Sequence, residues 1–260
     1  MLKLFDTHAH YNDSRFDEIG GAQKAIEESF ASGVVGFINC GTNPESCLES
    51  IAIAEKYKNV YAAAGLHPED APDYAANIDE TLDRICALLE HEKVVAVGEI
   101  GLDYHWDIAK PLQHEVFDRQ LSIAGEKKMP VIVHDRDAHG KTLEMIKMHP
   151  DVMGVMHGYS GSAETAKEYV KMGWYIAFGG PLTYKNAEKV RDACRAVPLD
   201  RILLETDCPY LPPVPHRGEV NRSDYMFHSL SVMAPLLGVS EEECAEATLE
   251  NTKRLFNISF

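Results

Sequence analysis

The sequence predicts an α/β fold in which eight parallel strands close into a (β/α)8 TIM barrel with an additional C-terminal helix. Short apolar runs rich in Val, Ile and aromatic residues alternate with amphipathic stretches along the whole chain. This alternation is typical of a parallel sheet, and eight strands close such a barrel. Histidine and carboxylate residues also stand where several of these runs end, and a barrel rim would bring them together.

The predicted strands are the apolar runs that are too short to form helices. They cover residues 3–8, 34–40, 60–64, 94–99, 131–134, 152–157, 175–178 and 202–205. An open doubly wound sheet is the rival architecture, but no G-x-G-x-x-G motif follows the first run. An open sheet would also struggle to converge polar residues drawn from strands along the whole chain, and this favours the barrel.

The predicted helices are the amphipathic stretches between these runs. They cover residues 22–31, 44–57, 80–90, 112–127 and 163–172. Ser162 precedes the last of them and is a typical N-cap residue. Near the C-terminus, Ser240 and Glu243 have the spacing of a capping box. They predict the additional helix, which we expect to cover the outside of the barrel.

Composition indicates an ordinary globular protein. The 260 residues are 45% hydrophobic and 25% charged, and we expect one domain, residues 1–260. No apolar run is long enough to cross a bilayer, and the N-terminal residues lack the layout of a signal peptide. We therefore expect a cytoplasmic protein without a membrane partner, whose six scattered cysteines remain reduced thiols.

The formal net charge of −16 argues against an extended basic track for duplex nucleic acid. It does not exclude an enzyme that handles one or two phosphates at a metal centre, because bound cations would there replace Lys and Arg. No obligate protein partner is evident from the sequence.

The first candidate metal ligands are His8 and His10, at the end of the first predicted strand. Residues i and i+2 of an extended strand point to the same side, so both imidazoles can meet one ion. Alone, the pair is a weak signal, and two surface histidines beside an N-terminal strand are the more common case. Four further residues stand at or just after the ends of later strands: Glu99, His134, His157 and Asp207. Six such groups on one rim predict a metal site.

These six groups exceed the needs of one tetrahedral ion and suit two divalent ions that share a carboxylate. We expect Glu99 to bridge them, because it falls midway in the order of the ligands. The ligands then divide as follows: His8, His10 and Asp207 for one ion, His134 and His157 for the other. Such mixed ligands admit Zn, Mg, Mn or Ni.

Five motifs carry a family resemblance: DTHAH at 6–10, GLHP at 65–68, GEIGLDY at 98–104, HDRDA at 134–138 and ETDCPYL at 205–211. Together they resemble the TatD family of metal-dependent deoxyribonucleases, within the wider amidohydrolase-like barrels. The resemblance covers essentially the whole chain. It implies a (β/α)8 barrel that hydrolyses DNA phosphodiesters with divalent metal ions, often as a 3′–5′ exonuclease. The family's ligands fall on the six residues that the strand ends indicate.

Some positions depart from the family pattern. Cys208 stands where Ser is usual after Glu-Thr-Asp, and Tyr159 stands where Phe is usual in the motif that begins at His157. The loop of residues 216–222 keeps the Arg-Gly and Asn of the family but varies their neighbours. These departures leave every ligand in place and bear on substrate preference.

The expected mechanism is in-line attack on phosphorus by a metal-activated water, while the ions neutralise charge on the phosphoryl oxygens. Glu99 and Asp207 are the candidate catalytic residues. Asp207 could ligate and also take the proton of the water, and the sequence does not separate these roles. Glu205, two residues earlier on an extended strand, points the same way. It is either a partner of a ligating histidine or a carboxylate paired for structural reasons.

Several residues are candidates for substrate binding. His67 ends the third predicted strand, and the resemblance favours a phosphate contact over a seventh metal ligand. Arg136 and Arg217 could each grip a phosphate or form a surface salt bridge. Tyr104 and Tyr210 could stack on a base, although loop packing is the commoner use of a tyrosine. The expected partner is DNA, as a single strand or a 3′ end.

Two other functions remain open from the sequence. The same centre could hydrolyse another ester or amide bond, such as an aminoacyl-tRNA ester. Many amidohydrolase relatives that cleave cyclic amides bridge their metals with a carboxylated Lys from the fourth strand, whereas Glu99 stands here and favours phosphodiesters. The second alternative is a catalytically silent metal-binding protein, against which the intact ligand set argues.

Overall fold

The computed structural model describes residues 2–260. Over this range, eight strands pair in parallel and in chain order within one sheet. They are β1 (Leu4–Ala9), β2 (Val34–Cys40), β3 (Val60–Ala64), β4 (Val94–Asp103), β5 (Val131–Arg136), β6 (Gly154–Met156), β7 (Tyr175–Phe178) and β8 (Ile202–Leu204). The predicted number and order of strands are confirmed.

The first and last strands meet in what we call the β1–β8 seam, formed by residues 6–10 and 204–208. Ala9 and Cys208 form a parallel bridge, and the Cys208 carbonyl accepts a 2.7 Å hydrogen bond from the His10 N–H. The Asp207 N–H donates to the His8 carbonyl at 2.9 Å. The sheet is therefore a (β/α)8 barrel, as predicted.

Helices surround the sheet, and ten α-helices lie within residues 2–260. They are α1 (Ala22–Ala31), α2 (Pro44–Ala54), α3 (Ala71–Tyr74), α4 (Ile78–Leu88), α5 (Lys110–Lys127), α6 (His139–Lys147), α7 (Ala163–Lys171), α8 (Glu188–Ala196), α9 (Met226–Leu237) and α10 (Glu241–Phe256). None of those between residues 2 and 260 combines the length and the apolar character that crossing a bilayer requires.

Alternation along the strands separates two apolar regions. On β3, Ala62 and Ala64 pack in the layer between the sheet and the helices, whereas Ala63 lies in the lumen of the barrel. Successive side chains of a strand point to opposite faces, so one strand supplies both regions. This period explains why the strands were readable from short apolar runs.

The largest boundary difference concerns β4. It runs on to Asp103, four residues beyond the predicted end, because Asp103 pairs with Arg136 of β5, which runs two residues beyond its own predicted end. The added part of β4 contains the apolar residues Ile100 and Leu102, and the two paired strands end in the charged residues Asp103 and Arg136. This extension carries Asp103 to the rim of the barrel.

The additional helix, α10, is confirmed, and the Oγ of Ser240 accepts a hydrogen bond from the Glu243 N–H. It packs beside β1 and β8 on the outside, as expected. Its C-terminal end does more than the sequence predicted, because Phe256 joins the lumen cluster and Phe260 stacks on Phe5 with ring centres 4.7 Å apart. The end of α10 therefore closes the barrel at the N-terminal ends of the strands.

This closure leads to a prediction about stability. The Phe256→Ala variant should lower the free energy of unfolding by about 3 kcal/mol, because it leaves a cavity in the lumen cluster. Urea unfolding followed by circular dichroism measures the change. The Leu48→Ala variant removes a side chain that is 52% exposed on α2. It should stay within about 0.5 kcal/mol of the parent, and equal effects of the two variants would contradict the closing role of Phe256.

Candidate metal centre

The six predicted ligands meet at the C-terminal rim of the barrel. Five strands supply them. His8, Glu99 and His134 lie within β1, β4 and β5, whereas His10, His157 and Asp207 shortly follow the ends of β1, β6 and β8. Their charged and imidazole groups converge on a single buried space, with members His8, His10, Glu99, His134, His157 and Asp207. The strand-end argument therefore located one spatial cluster.

The Glu99 carboxylate divides this cluster into two groups of donors. Its Oε2 lies 3.2 Å from His8 Nε2 and 3.4 Å from His10 Nε2. Its Oε1 lies 3.1 Å from His134 Nδ1 and 3.2 Å from His157 Nε2. Each oxygen of one side chain thus faces a different group of imidazoles, which is the arrangement of a carboxylate able to bridge two cations.

Asp207 completes the first group. Its Oδ1 lies 3.4 Å from His10 Nε2 and 3.7 Å from His8 Nε2, and the two imidazole nitrogens are 2.9 Å apart. Donors bound at about 2.1 Å around one tetrahedral ion lie roughly 3.4 Å from one another. The observed separations bracket that value, so this donor set fits a divalent cation.

Local irregularities of the sheet aim two of these residues. Between Asp6 and Ala9, β1 has two residues where β2 has one, and His8 is one of the two. Between Val97 and Ile100, β4 has two residues where β5 has one, and Glu99 is one of the two. Bulges of this kind redirect side chains beside active sites.

Hydrogen-bond acceptors behind the His10 and His134 rings fix the orientation of these two side chains. The His10 Nδ1–H donates to the Cys40 carbonyl at 2.9 Å, and the His134 Nε2–H donates to Asp103 Oδ2 at 2.9 Å. With the outer nitrogen protonated in the neutral ring, the nitrogen that faces Glu99 carries a lone pair. Both rings are therefore oriented as metal ligands.

Asp103 is a functional candidate that sequence reasoning missed. It lies in the GEIGLDY motif, but its role depends on the extension of β4 past Glu99, which no apolar pattern indicates. The side chain is buried, and its Oδ1 accepts a 2.8 Å hydrogen bond from the His105 N–H while Oδ2 holds His134. The position of this carboxylate at the end of a strand was the available signal.

Glu205 lies behind His157. Its Oε1 accepts a 2.5 Å hydrogen bond from the Gly158 N–H and lies 3.5 Å from His157 Nδ1. Its buried Oε2 makes no hydrogen bond to the described residues. The geometry agrees with the expected partner of a ligating histidine, and that role stays a prediction.

Charge in the cluster is balanced between carboxylates and imidazoles. Burial alone would raise the pKa of Glu99, but the neighbouring imidazoles of His67, His8 and His157 hold it well below its usual value. Burial disfavours protonation of His10, but hydrogen bonds to Asp207 and Glu99 raise its pKa to about 10.

His134 responds in the same way as His10. Burial opposes its protonation, but hydrogen bonds to Asp103 and Glu99 raise its pKa to about 9. Without a cation, protons on these two rings therefore compensate the buried carboxylates. A bound metal ion would have to displace them.

His67 reaches the same space with the opposite ring orientation. Its Nε2 lies 3.4 Å from Glu99 Oε1, and the Glu69 N–H donates to its Nδ1 at 3.2 Å. Because Nδ1 accepts, Nε2 carries the proton of the neutral ring. The side chain is thus set up as a hydrogen-bond donor at the centre, which agrees with the expected phosphate contact.

The other predicted substrate residues lie on the surrounding loops. Arg136 is exposed at the end of β5, and the Arg217 guanidinium stacks 3.9 Å from the centre of the Tyr184 ring. Neither arginine forms a salt bridge within residues 2–260. Tyr210 is more engaged, because its hydroxyl donates to Asp13 at 2.6 Å. The substrate-binding roles of Arg136, Arg217 and Tyr210 remain predictions.

The chain is similar to known proteins over nearly its whole length. A family model described as TatD related DNase matches residues 5–257. The chain is 42% identical over 259 residues to the metal-dependent hydrolase YabD of Bacillus subtilis (strain 168). The alignment covers 98% of this chain and 100% of YabD. The crystal structure of YjjV, a TatD homolog from Escherichia coli K12, has a TM-score of 0.89 at 34% identity, with 98% of each chain covered.

Metal binding should release protons. A pH of 7.5 lies below the pKa values of His10 and His134, which are about 10 and about 9, so both rings are protonated without metal. Each ring loses a proton when it becomes a ligand. We expect release of about two protons, and an apparent affinity for Zn²⁺ that rises as the pH increases toward 9.

Calorimetric titration of metal-free protein with Zn²⁺ in buffers of different ionisation enthalpy measures this release. The His149→Gln variant, whose change lies away from the centre, serves as the control and should release the same number of protons. Binding without proton release would show that the rings are neutral in the metal-free protein.

The Asp103→Asn variant should weaken metal binding about 10- to 100-fold, because His134 loses the carboxylate that orients it. The Asp118→Asn variant is a matched control, since Asp118 accepts a 2.9 Å contact from His149 Nε2 away from the centre. Competition with a chromogenic chelator measures both affinities. Equal affinities for the two variants would remove the orienting role of Asp103.

Proposed function

The chain belongs to the TatD family of metal-dependent hydrolases, and we propose that within it the protein is a deoxyribonuclease that shortens DNA from the 3′ end. The observation that carries the proposal is the Glu99 carboxylate, whose two oxygens face two separate groups of donors on an open rim. Centres with two cations suit phosphodiester hydrolysis, because attacking and leaving oxygens both need stabilisation.

Two divalent ions would be held by the residues described above. The proposed ligands are His8, His10 and Asp207 for the first ion and His134 and His157 for the second, with Glu99 shared. Bound there, the ions would neutralise charge on the phosphoryl oxygens and lower the pKa of the attacking water.

Asp207 is the proposed proton acceptor. Burial alone would raise its pKa, but the hydrogen bond to His10 and the neighbouring imidazoles hold it below its usual value, so the carboxylate is ionised. Its backbone adopts a left-handed φ of 59°, a conformation that is uncommon outside glycine and often found at functional sites. An ionised carboxylate placed beside the water can take its proton.

Hydrogen-bond donors around the centre favour an anionic substrate. His67 presents a protonated Nε2 beside Glu99, and Arg136 and Arg217 lie on the rim without a carboxylate partner within the described chain. A phosphodiester offers oxygens to such donors, whereas a neutral amide offers one carbonyl. The donor set therefore supports a phosphodiester over an amide.

The test uses a 5′-labelled single-stranded oligonucleotide and metal-stripped protein with Mg²⁺, Mn²⁺ or Zn²⁺ added back. We expect a ladder that shortens from the 3′ end with at least one ion. The Asp207→Asn variant should lose about a thousandfold in rate, the range of a lost acid–base group.

The matched control is Asp118→Asn, which changes a half-exposed carboxylate on α5 away from the centre and should keep full activity. Metal content is measured on every variant. If metal-loaded, folded protein leaves DNA intact with all three ions, the deoxyribonuclease proposal is wrong. Hydrolysis of an aminoacyl-tRNA ester by the same samples would then identify the alternative substrate.

A further inference from the structure

The loop between β4 and α5 exposes a large aromatic side chain beside the metal centre. Trp106 is 49% exposed, whereas Trp174, the other tryptophan of the sequence, is 1% exposed. Among the described residues, the other large apolar side chains with comparable exposure are Leu, Met and Val. An indole left in water retains a large apolar face that a ligand could cover.

This loop is fastened to a proposed metal ligand. Asp103 holds His134 through Oδ2 and accepts the His105 N–H through Oδ1. Trp106 is the next residue, and its carbonyl accepts a 2.9 Å hydrogen bond from the Ile108 N–H in a tight turn. The indole is thus three residues from a carboxylate that contacts the centre.

The guanidinium of Arg136 lies near the Trp106 indole. Arg136 lies two residues after His134 on β5, and its carbonyl accepts a 2.8 Å hydrogen bond from the Tyr104 N–H. Its guanidinium carbon is 6.0 Å from the centre of the Trp106 ring. Residues i and i+2 of a strand share one side, so Arg136 extends the side of β5 on which His134 faces the centre.

Tyr104 and Tyr210, the tyrosines expected to stack on a base, already contact other side chains of the protein. The Tyr104 hydroxyl contacts His114 at 2.5 Å, and the Lys110 ammonium lies 4.1 Å from its ring centre. The Arg15 guanidinium lies 4.4 Å from the ring centre of Tyr210, whose hydroxyl is bound to Asp13. Cations therefore lie against both tyrosine rings, whereas Trp106 meets the edge of the His105 ring and the more distant Arg136.

We propose that Trp106 and Arg136 form a nucleobase-binding site, in which the indole stacks on the unpaired base of the 3′-terminal nucleotide and the guanidinium contacts its phosphate. This proposal rests on the proposed deoxyribonuclease function. The contact with the terminal base would give the enzyme a preference for single strands. Stacking on an aromatic side chain tolerates every base but requires that the base be unpaired.

The first test is kinetic and uses single-stranded oligonucleotides. The Trp106→Ala variant should raise KM about 10-fold and leave kcat within about twofold, because the metal ligands are untouched. Trp106→Phe should restore most of the loss, since phenylalanine still stacks. Leu48→Ala removes another half-exposed apolar side chain, on α2, and should leave KM unchanged.

A substrate whose 3′-terminal nucleotide lacks its base tests whether Trp106 contacts that base. With the wild type, loss of the base should raise KM as much as the loss of Trp106 does. With Trp106→Ala, loss of the base should change KM no further, because the two changes remove one interaction. Independent, multiplying effects of the two changes would overturn the site.

The second test reads binding without turnover. Thymidine 5′-monophosphate should quench the emission of Trp106, and the Trp106→Phe variant, which retains only the buried Trp174, should show no quenching. Methyl phosphate, which has no base, should quench neither protein. Quenching that persists in Trp106→Phe would contradict the assignment.

The two proposals fail in different ways. If the wild type shortens DNA but Trp106→Ala has an unchanged KM and the nucleotide causes no quenching, the base site is wrong and the deoxyribonuclease stands. If the wild type leaves DNA intact but the nucleotide quenches Trp106, the base site stands and the deoxyribonuclease is wrong. If DNA is intact and quenching is absent, both are wrong.

Discussion

The buried Glu99 carboxylate is the constraint on which the rest of the centre depends. A carboxylate removed from water is costly unless opposite charge and hydrogen-bond donors surround it. Four imidazoles from the ends of three other strands supply that environment, two on each oxygen, and their outer nitrogens need acceptors in turn. The carbonyl of Cys40 and the carboxylate of Asp103 meet that need for His10 and His134. One buried charge thus organises two layers of residues drawn from most of the barrel.

The β1–β8 seam holds the first donor group together. Buried Asp6 accepts hydrogen bonds from the Thr206 N–H and hydroxyl and from the Ser223 hydroxyl, at 2.9, 2.5 and 2.7 Å. Because Asp6 is two residues before His8 and Thr206 immediately precedes Asp207, these bonds bring ligands from the two ends of the chain to one point. At the opposite end of the barrel, α10 closes the lumen. Barrel closure and ligand placement therefore depend on the same strands.

The sequence carried most of the fold and the ligand set, because both follow from local periodicity. Short apolar runs mark the strands, because both faces of the sheet are buried, and the histidines and carboxylates at or just after the ends of several runs mark the rim. Asp103, Trp106 and the ring orientation of His67 could not be predicted in this way. The turn that carries Trp106 and the hydrogen bond from Glu69 to His67 are local details that leave no mark on the apolar pattern, whereas Asp103 depends on a contact between distant segments, the extension of β4 along β5. The lumen contact of Phe260 with Phe5 is of the same kind.

The net charge of −16 and the proposed DNA substrate fit together if recognition is confined to the end of a strand. At physiological ionic strength, charges more than about 8 Å apart are largely screened, so the acidic surface opposes DNA chiefly where the strand lies against it. An enzyme that tracks a long backbone needs many cations along its path. A centre with two metal ions, a donor such as His67 and one aromatic platform requires close contact with only one or two nucleotides. The acidic surface would then disfavour binding within a long strand and leave the 3′ end as the part of DNA that enters the rim.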